Sequence, residues 1–373
     1  MLRLFLVLYT LMLLTTGCFA QTDPLYVDFN SPKWNTMGNA DVSMFDGKTV
    51  TRVLGGTAIA CLDGYDFGDG TIECDMYSPS DRAFIGLAFH IQDFRDFEWV
   101  YFLPHNSGTW DAVQYEPVCN RSATWQLYHG DGFQANAEVP THKWFHVRLD
   151  VIGDSGYVYL NNAAVPVLSF GLRLKDHKGL VGVCSYHPGT FANLVITGKE
   201  PAMVPVSNSY YDPNPYYINT WQVSEPFLGL VDDISADQKA QNENSWKIVQ
   251  ADERGIINLN RYFVKTPSSN TVLARTIIQS QKVQTKTLSF GFSDKVRIYL
   301  NGKQVYSGNN TYVESDLWKD RGYVYVDYAS VDLPFIKGEN ELVMQLYEDK
   351  FGWGFTTRLD DYQGLELYPA QAR

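Results

Sequence analysis

The sequence predicts an all-β protein, two antiparallel jelly-roll β-sandwich domains in tandem. Three observations carry that expectation. Apolar residues recur with period two and convincing helical periodicity is absent; Gly and Asp turn residues break the alternation into short runs; and one proline-rich stretch divides the chain.

Taken in order, the chain starts with Arg3, an apolar run over residues 4–14, and then Thr15-Thr16-Gly17-Cys18-Phe19-Ala20. This is the pattern of a secretory signal over residues 1–20, too short to span a bilayer as a mature helix. Cleavage after Ala20 would leave Gln21 first. The rival reading is a lipobox with Cys18 lipidated, although Thr15 stands where such signals usually carry Leu. The expectation is a secreted, periplasmic or cell-surface protein with no membrane span.

Roughly 350 residues remain beyond the leader, and single cores stop growing near roughly 250–300, so about two domains are expected. In residues 85–92, Ile85, Leu87, Phe89 and Ile91 form the apolar set. Over 144–151 the set is Phe145, Val147, Leu149 and Val151, with Trp144, His146, Arg148 and Asp150 opposite. Such alternation marks antiparallel strands with one buried face. Asp154-Ser155-Gly156 is then expected to turn the chain into a hairpin. The stretch 201–217 carries Pro201, Pro205, Pro213 and Pro215 and reads as a linker, giving domains at 21–200 and 218–373. In the second, Asn301-Gly302 between alternating runs predicts a hairpin, because both turn residues must take positive φ. Residues 235–244 are a polar helical candidate that reads as a loop.

Five cysteines are present, four of them beyond the leader: Cys61, Cys74, Cys119 and Cys184. None has the close spacing of a zinc site. Cys61 and Cys74 flank the turn-rich 63–70 stretch with matching parity, which makes them the candidate disulfide; buried free thiols are the alternative. The net charge of −12 argues against nucleic acid or anionic membrane as partner. No cofactor is expected. A structural calcium at the Asp-rich turns 63–69 or at Asp360-Asp361 stays open, since these are equally ordinary turn residues.

Gly70-Thr71-Ile72-Glu73, Gly86-Leu87-Ala88-Phe89-His90, the 144–162 hairpin, and Gly179-Leu180-Val181-Gly182-Val183 with Phe191-Ala192-Asn193-Leu194 come in a telling order. Residues 24–198 thereby resemble the concanavalin A-like jelly roll of laminin-G-type domains and of the 3-keto-disaccharide hydrolase domain family. Residues 218–368 resemble galactose-binding-like sandwiches through Gly255-Ile256-Ile257-Asn258-Leu259, the 292–303 segment, Gly338-Glu339-Asn340-Glu341-Leu342 and Gly352-Trp353-Gly354-Phe355. The resemblance implies fold more than activity.

Aromatic residues make up 14% of the chain. They are densest at 99–118 and 125–129, where they alternate with Asp, Gln, His and Asn. A ring packed against the C–H face of a pyranose, with planar polar groups on its hydroxyls, is how sugars are held. The candidate carbohydrate-binding residues are His90, Tyr101, His105, Trp110, Asp111, Gln114, Tyr128, His146 and Arg148, expected on one concave sheet face. Cross-strand packing is the bland alternative for each ring. Trp353 is expected to close the end of the second sandwich.

Catalysis finds less support. A glycosidase needs two carboxyl groups about 5–5.5 Å apart if retaining, or about 6.5–9.5 Å if inverting. Glu73-x-Asp75 has the spacing of a jelly-roll glucanase strand, but residues 78–80 lack the third carboxylate. Asp111 and Glu116 have opposite strand parity. A lyase would draw on His105, His146 and Arg148. The expected function is therefore binding of a polysaccharide or oligosaccharide. A glycan-degrading hydrolase or lyase, acting for example on 3-keto-glycosides, is the alternative, and an adhesion protein without a sugar ligand is the third reading.

Overall fold

The computed structural model describes residues 24–198, 214–230, 234, 246–315 and 317–368. The predicted leader, the 235–244 candidate and most of the 201–217 stretch lie outside them. The described residues form strands and four short 3-10 turns, and none of their helices is long and apolar enough to cross a membrane.

The first sandwich is wound from one continuous thirteen-stranded sheet. Strand Lys48–Phe67 joins its two layers. Residues 57–67 pair with Gly179–Tyr186, which continues through Phe84–Asp93, Asp96–Phe102 and Val113–Val118 to make a front layer. Residues 51–53 pair instead with Gly189–Thr197, leading to Gly70–Tyr77, Trp144–Ile152, Ser155–Leu160 and Leu168–Gly171 in a back layer. Between the two halves the strand bends at Gly56, whose φ of 66° suits a residue without Cβ. Leu87, Phe89, Val100, Tyr115 and Val183 from the front meet Ile72, Met76, Val147, Leu149 and Phe191 from the back in the core.

In the second sandwich a seven-stranded sheet containing Thr271–Ser280 and Gly338–Tyr347 faces a four-stranded sheet around Gln284–Ser293 and Gly354–Leu359. Trp221, Phe290, Phe292, Leu346 and the fully buried Trp353 fill the space between them. The Asn301-Gly302 hairpin forms with φ of 53° and 80°.

Three expectations are corrected. The first hairpin turns on Gly153-Asp154, one residue early, because Ile152 pairs with Ser155 and Gly153 takes the positive φ. The 63–70 stretch is not all turn, since its first five residues extend the strand to Phe67. Cys61 and Cys74 are not bridged; all four described cysteines are free. Cys61 points out of the front layer into a cluster with Ile59, Trp99 and Cys184, whereas Cys74 points into the core from the back layer. Equal parity on two strands of different layers does not make neighbours.

The sandwiches interlock. Residues 119–135 press against the second sandwich, and Ile256 and Val324 join the first one's core. Gln126, fully buried, accepts from Gly352 N at 3.0 Å, while its carbonyl accepts from Val324 N at 2.8 Å. A Cβ at Gly354 would stand 2.7 Å from Leu127 Cδ2, so the close approach requires glycine there.

Candidate functional site

On the outer side of the front layer, small residues occupy the central strands. Gly182 pairs with Ala88 and Ala88 with Trp99, while Cys184 pairs with Gly86 and Gly86 with Tyr101. Trp99 and Tyr101 pack with Ile59, Cys61, Ala88 and Cys184, their rings stacked at 4.1 Å. Tyr101 is 2% exposed, and its hydroxyl donates to Gln114 Oε1 at 2.6 Å. This face therefore buries its own aromatics and does not offer Tyr101 and Gln114 to a ligand. A Cβ at Gly86 would meet Val100 O at 2.0 Å. Gly86→Ala is accordingly expected to lose about 1–3 kcal/mol of stability in urea denaturation, with a changed near-ultraviolet dichroism from the Trp99–Tyr101 stack.

The open aromatic surface lies at the junction of the sandwiches. Trp110, 39% exposed, stands edge-on to Tyr323 at 6.0 Å. Trp318, 41% exposed, lies 5.3 Å from Tyr323 and 4.9 Å from Tyr325. Tyr323 is fixed from below, since its hydroxyl accepts from Gln134 Nε2 at 3.1 Å and its ring lies 4.3 Å from His129. Asp111 flanks this ridge. It accepts from Thr109 Oγ1 at 2.8 Å and Asn106 Nδ2 at 3.0 Å, with Arg321 Nη2 at 3.9 Å.

The sequence candidates thus divide. Trp110 and Asp111 belong to the ridge, and His105 is exposed on the neighbouring turn with its ring edge on Phe84 at 5.1 Å. His90 is fully buried with φ of 48°, its Nε2 3.2 Å from Gly68 O, and burial lowers its pKa. Tyr128 is 1% exposed in the junction, hydrogen-bonded to Asp252 and to Asn258 Nδ2 at 3.2 Å. His146 and Arg148 lie on the outer side of the back layer, beside Asp75 and Tyr159 respectively and not among the ridge residues. One common concave face is overturned: the front and back strands turn their polar sides in opposite directions. The residues not foreseen are Trp318, Arg321 and Tyr323. Their signal was composition alone, four aromatics at 318, 323, 325 and 328 without strand alternation.

On the back face, His146 sits between two carboxylates, with Nδ1 2.9 Å from Asp75 Oδ1 and Nε2 3.3 Å from Glu73 Oε1. Asp75 Oδ2 accepts from Lys48 Nζ at 2.8 Å and Asn193 Nδ2 at 2.7 Å. Burial raises the Asp75 pKa, and the bonds from Lys48, His146 and Asn193 outweigh it, leaving the carboxyl below its usual range. Glu73, Asp75, His146 and Asn193 line a basin of about 370 Å³. Among the described residues no three His, Cys, Asp or Glu side chains are arranged to hold a metal ion. The acids at the Asp-rich turns serve those turns and their neighbours: Asp69 Oδ1 accepts from Gly153 N, and Asp361 binds Lys286.

No family model matches the chain, and no curated protein matches its sequence. Among solved structures it is similar to the carbohydrate binding module CBM66 from Bacillus subtilis, at 17% identity and a TM-score of 0.35 over 43% of this chain and 93% of that one. It is also similar to a native glycosidic hydrolase (13%, TM-score 0.37, 49% and 98%). The β-glucanase of Bacillus licheniformis is a further match (13%, TM-score 0.36, 48% and 98%). These are distant likenesses, each over less than half of this chain, and the functional reading rests on the residues of the site.

Proposed function

We propose that this protein binds carbohydrate outside the cytoplasm, the address encoded by its leader, and does so along the ridge formed by Trp110, Tyr323 and Trp318. The observation that carries the reading is the pair of part-exposed indoles, one from each sandwich, that bracket a single buried tyrosine. Large aromatics normally bury most of their surface, so leaving two rings open at one junction is a cost that stacking on sugar rings offsets. Arg321 beside them supplies a planar donor for hydroxyls, with Asp111 behind it. Because the ridge draws on both sandwiches, recognition depends on their junction.

The hydrolase or lyase alternative requires an acid and a base facing each other across one cleft. Asp111 and Glu116 are 3% and 1% exposed, and their oxygens are taken by Thr109, Asn106 and Thr124. The test is affinity electrophoresis on a panel of neutral and acidic polysaccharides and 3-keto-glycosides, scored for retention and for released product. Retention without product is expected. Trp110→Ala and Trp318→Ala should each weaken it about tenfold or more, with a nearly unchanged melting temperature. Unaltered retention in both variants would remove the ridge, and product release would favour the hydrolase or lyase.

A further inference from the structure

We infer that the aromatic ridge extends beyond Trp110, Tyr323 and Trp318 to Phe351, a further stacking platform, so that it takes an extended glycan chain and not a single sugar or a disaccharide. This rests on the carbohydrate reading of the ridge and names the class of ligand that the ridge accepts. Phe351 has φ of 66°, a left-handed value that a bulky side chain adopts only at a cost, and its ring is nevertheless 38% exposed. A residue kept for packing would bury that ring. A turn with no further duty would carry Gly or Asn at such a φ.

The turn is held from both sides. Asp294, fully buried, accepts from Asp349 N at 2.7 Å and from Lys350 N at 2.8 Å, and Lys265 Nζ donates to Asp349 O at 3.1 Å. After Phe351, Gly352 N donates at 3.0 Å to Oε1 of Gln126, itself fully buried in the junction. Strain of this kind persists only where the surroundings over-determine the backbone, as these bonds do. They also set the turn before any ligand arrives, so little ordering remains to be done on binding.

The ring held out in this way joins the ridge. Phe351 lies 5.3 Å from the half-buried Trp125 and 5.6 Å from Tyr312. Trp125 in turn lies 5.6 Å from Tyr323, the tyrosine that Trp110 and Trp318 flank. A second connection runs through one loop, which carries Tyr312 beside Phe351 and Trp318 beside Tyr323, with Val313 and Leu317 exposed between them. Both sandwiches contribute to the strip, as they do to the ridge.

The spacing selects the ligand. Among the described residues, Trp110, Trp318 and Phe351 make no ring contact with one another; Tyr323, or Trp125 and Tyr323, stand between them. A sugar ring stacks on one aromatic face at a time, so a disaccharide cannot reach all three, whereas a chain of several units can. Each further platform that one chain engages is an intramolecular contact, which raises affinity with chain length.

Isothermal titration calorimetry with cello-, xylo-, manno- and laminari-oligosaccharides, each series run from disaccharide to hexasaccharide, provides the test. In the wild type at least one series is expected to gain about tenfold or more in affinity from its shortest to its longest member. Phe351→Asn should cut the hexasaccharide affinity about fivefold or more and flatten that gain, whereas Phe351→Trp should preserve it. The melting temperature of Phe351→Asn should be unchanged or higher, because asparagine takes this φ readily and the released strain offsets the lost ring contacts. Phe351→Gly, free of strain at any φ, should bind as Phe351→Asn does. A lower melting temperature with the length gain intact would make Phe351 a packing residue and overturn the inference. So would a disaccharide bound as tightly as its hexasaccharide, or a wild type that binds none of the series. Trp110→Ala/Trp318→Ala should abolish hexasaccharide binding. If it does so while Phe351→Asn and Phe351→Gly change nothing, the ridge stands and Phe351 is no part of it. If the double variant leaves hexasaccharide binding unaltered, the ridge itself falls.

Discussion

Replacing Arg261 with methionine is expected to cost about 3 kcal/mol of folding stability, the low end of the range for removing one partner of a buried ion pair. Its guanidinium meets Asp252 with two nitrogens, at 2.9 Å and 2.8 Å, the bidentate geometry that makes arginine–carboxylate pairs strong. The Nη2 group also donates to Arg173 O at 2.8 Å and reaches Tyr128 Oη at 3.3 Å, so it ties the second sandwich to the first. Side-chain exposures of 20% and 16% keep the pair from being fully desolvated, which places the cost near the bottom of the range. Methionine would keep much of the apolar stem but leave the Asp252 charge and the Arg173 carbonyl without their partner.

Beside it Arg173 bonds Glu253 across the same junction, and the fully buried Glu98 accepts from Arg173 N at 2.9 Å, Leu174 N at 2.8 Å and Tyr115 Oη at 2.8 Å. Removing Arg261 should therefore loosen the junction as well as the fold. Urea denaturation should show a lower midpoint, and Arg261→Met/Asp252→Asn should recover part of the loss, because the double variant buries no orphan charge. A loss below about 1 kcal/mol would mean that water already screens the pair.

The strands were legible because their signal is local. Alternation placed 85–92 inside Phe84–Asp93 and 144–151 inside Trp144–Ile152, and Asn-Gly located a turn whose φ values only such residues take easily. Parity, however, says that a strand has two faces without saying which layer it joins. His90 shows how the pattern breaks: the register shifts between Phe89 and Asp93, His90 takes φ of 48° and is buried, and Ile91 leaves the core set of Ile85, Leu87 and Phe89 for the outer cluster. The candidate site was half legible. Trp110 and Asp111 stood out, but Trp318, Arg321 and Tyr323 reach them from about 200 residues further along the chain through long-range packing that leaves no period in the sequence. His146 and Arg148 were read onto the wrong face for the same reason.

Glu116 should give the stability a pH dependence of its own, removable by one substitution. The carboxyl is 1% exposed, and burial pushes its pKa from 4.5 up to about 7 despite hydrogen bonds from Thr124 N and Trp125 N. The folded protein therefore holds this proton more tightly than the unfolded chain does. The stabilisation is fully present below about pH 4.5 and is lost as pH rises through 7, a swing of about 3 kcal/mol if the shift acts in full. Glu116→Gln keeps an acceptor for the turn and carries no charge at any pH. Unfolding free energies measured in urea from pH 4.5 to 8 should fall more steeply for the wild type than for Glu116→Gln. The other titrating groups cancel in the difference between the two proteins, so parallel curves would show that Glu116 stays ionised in the fold. The same carboxyl anchors the turn that carries Trp125 and Gln126 into the second sandwich. A steeper wild-type curve accompanied by weaker polysaccharide retention at high pH would tie the junction, and with it the ridge, to the proton on Glu116.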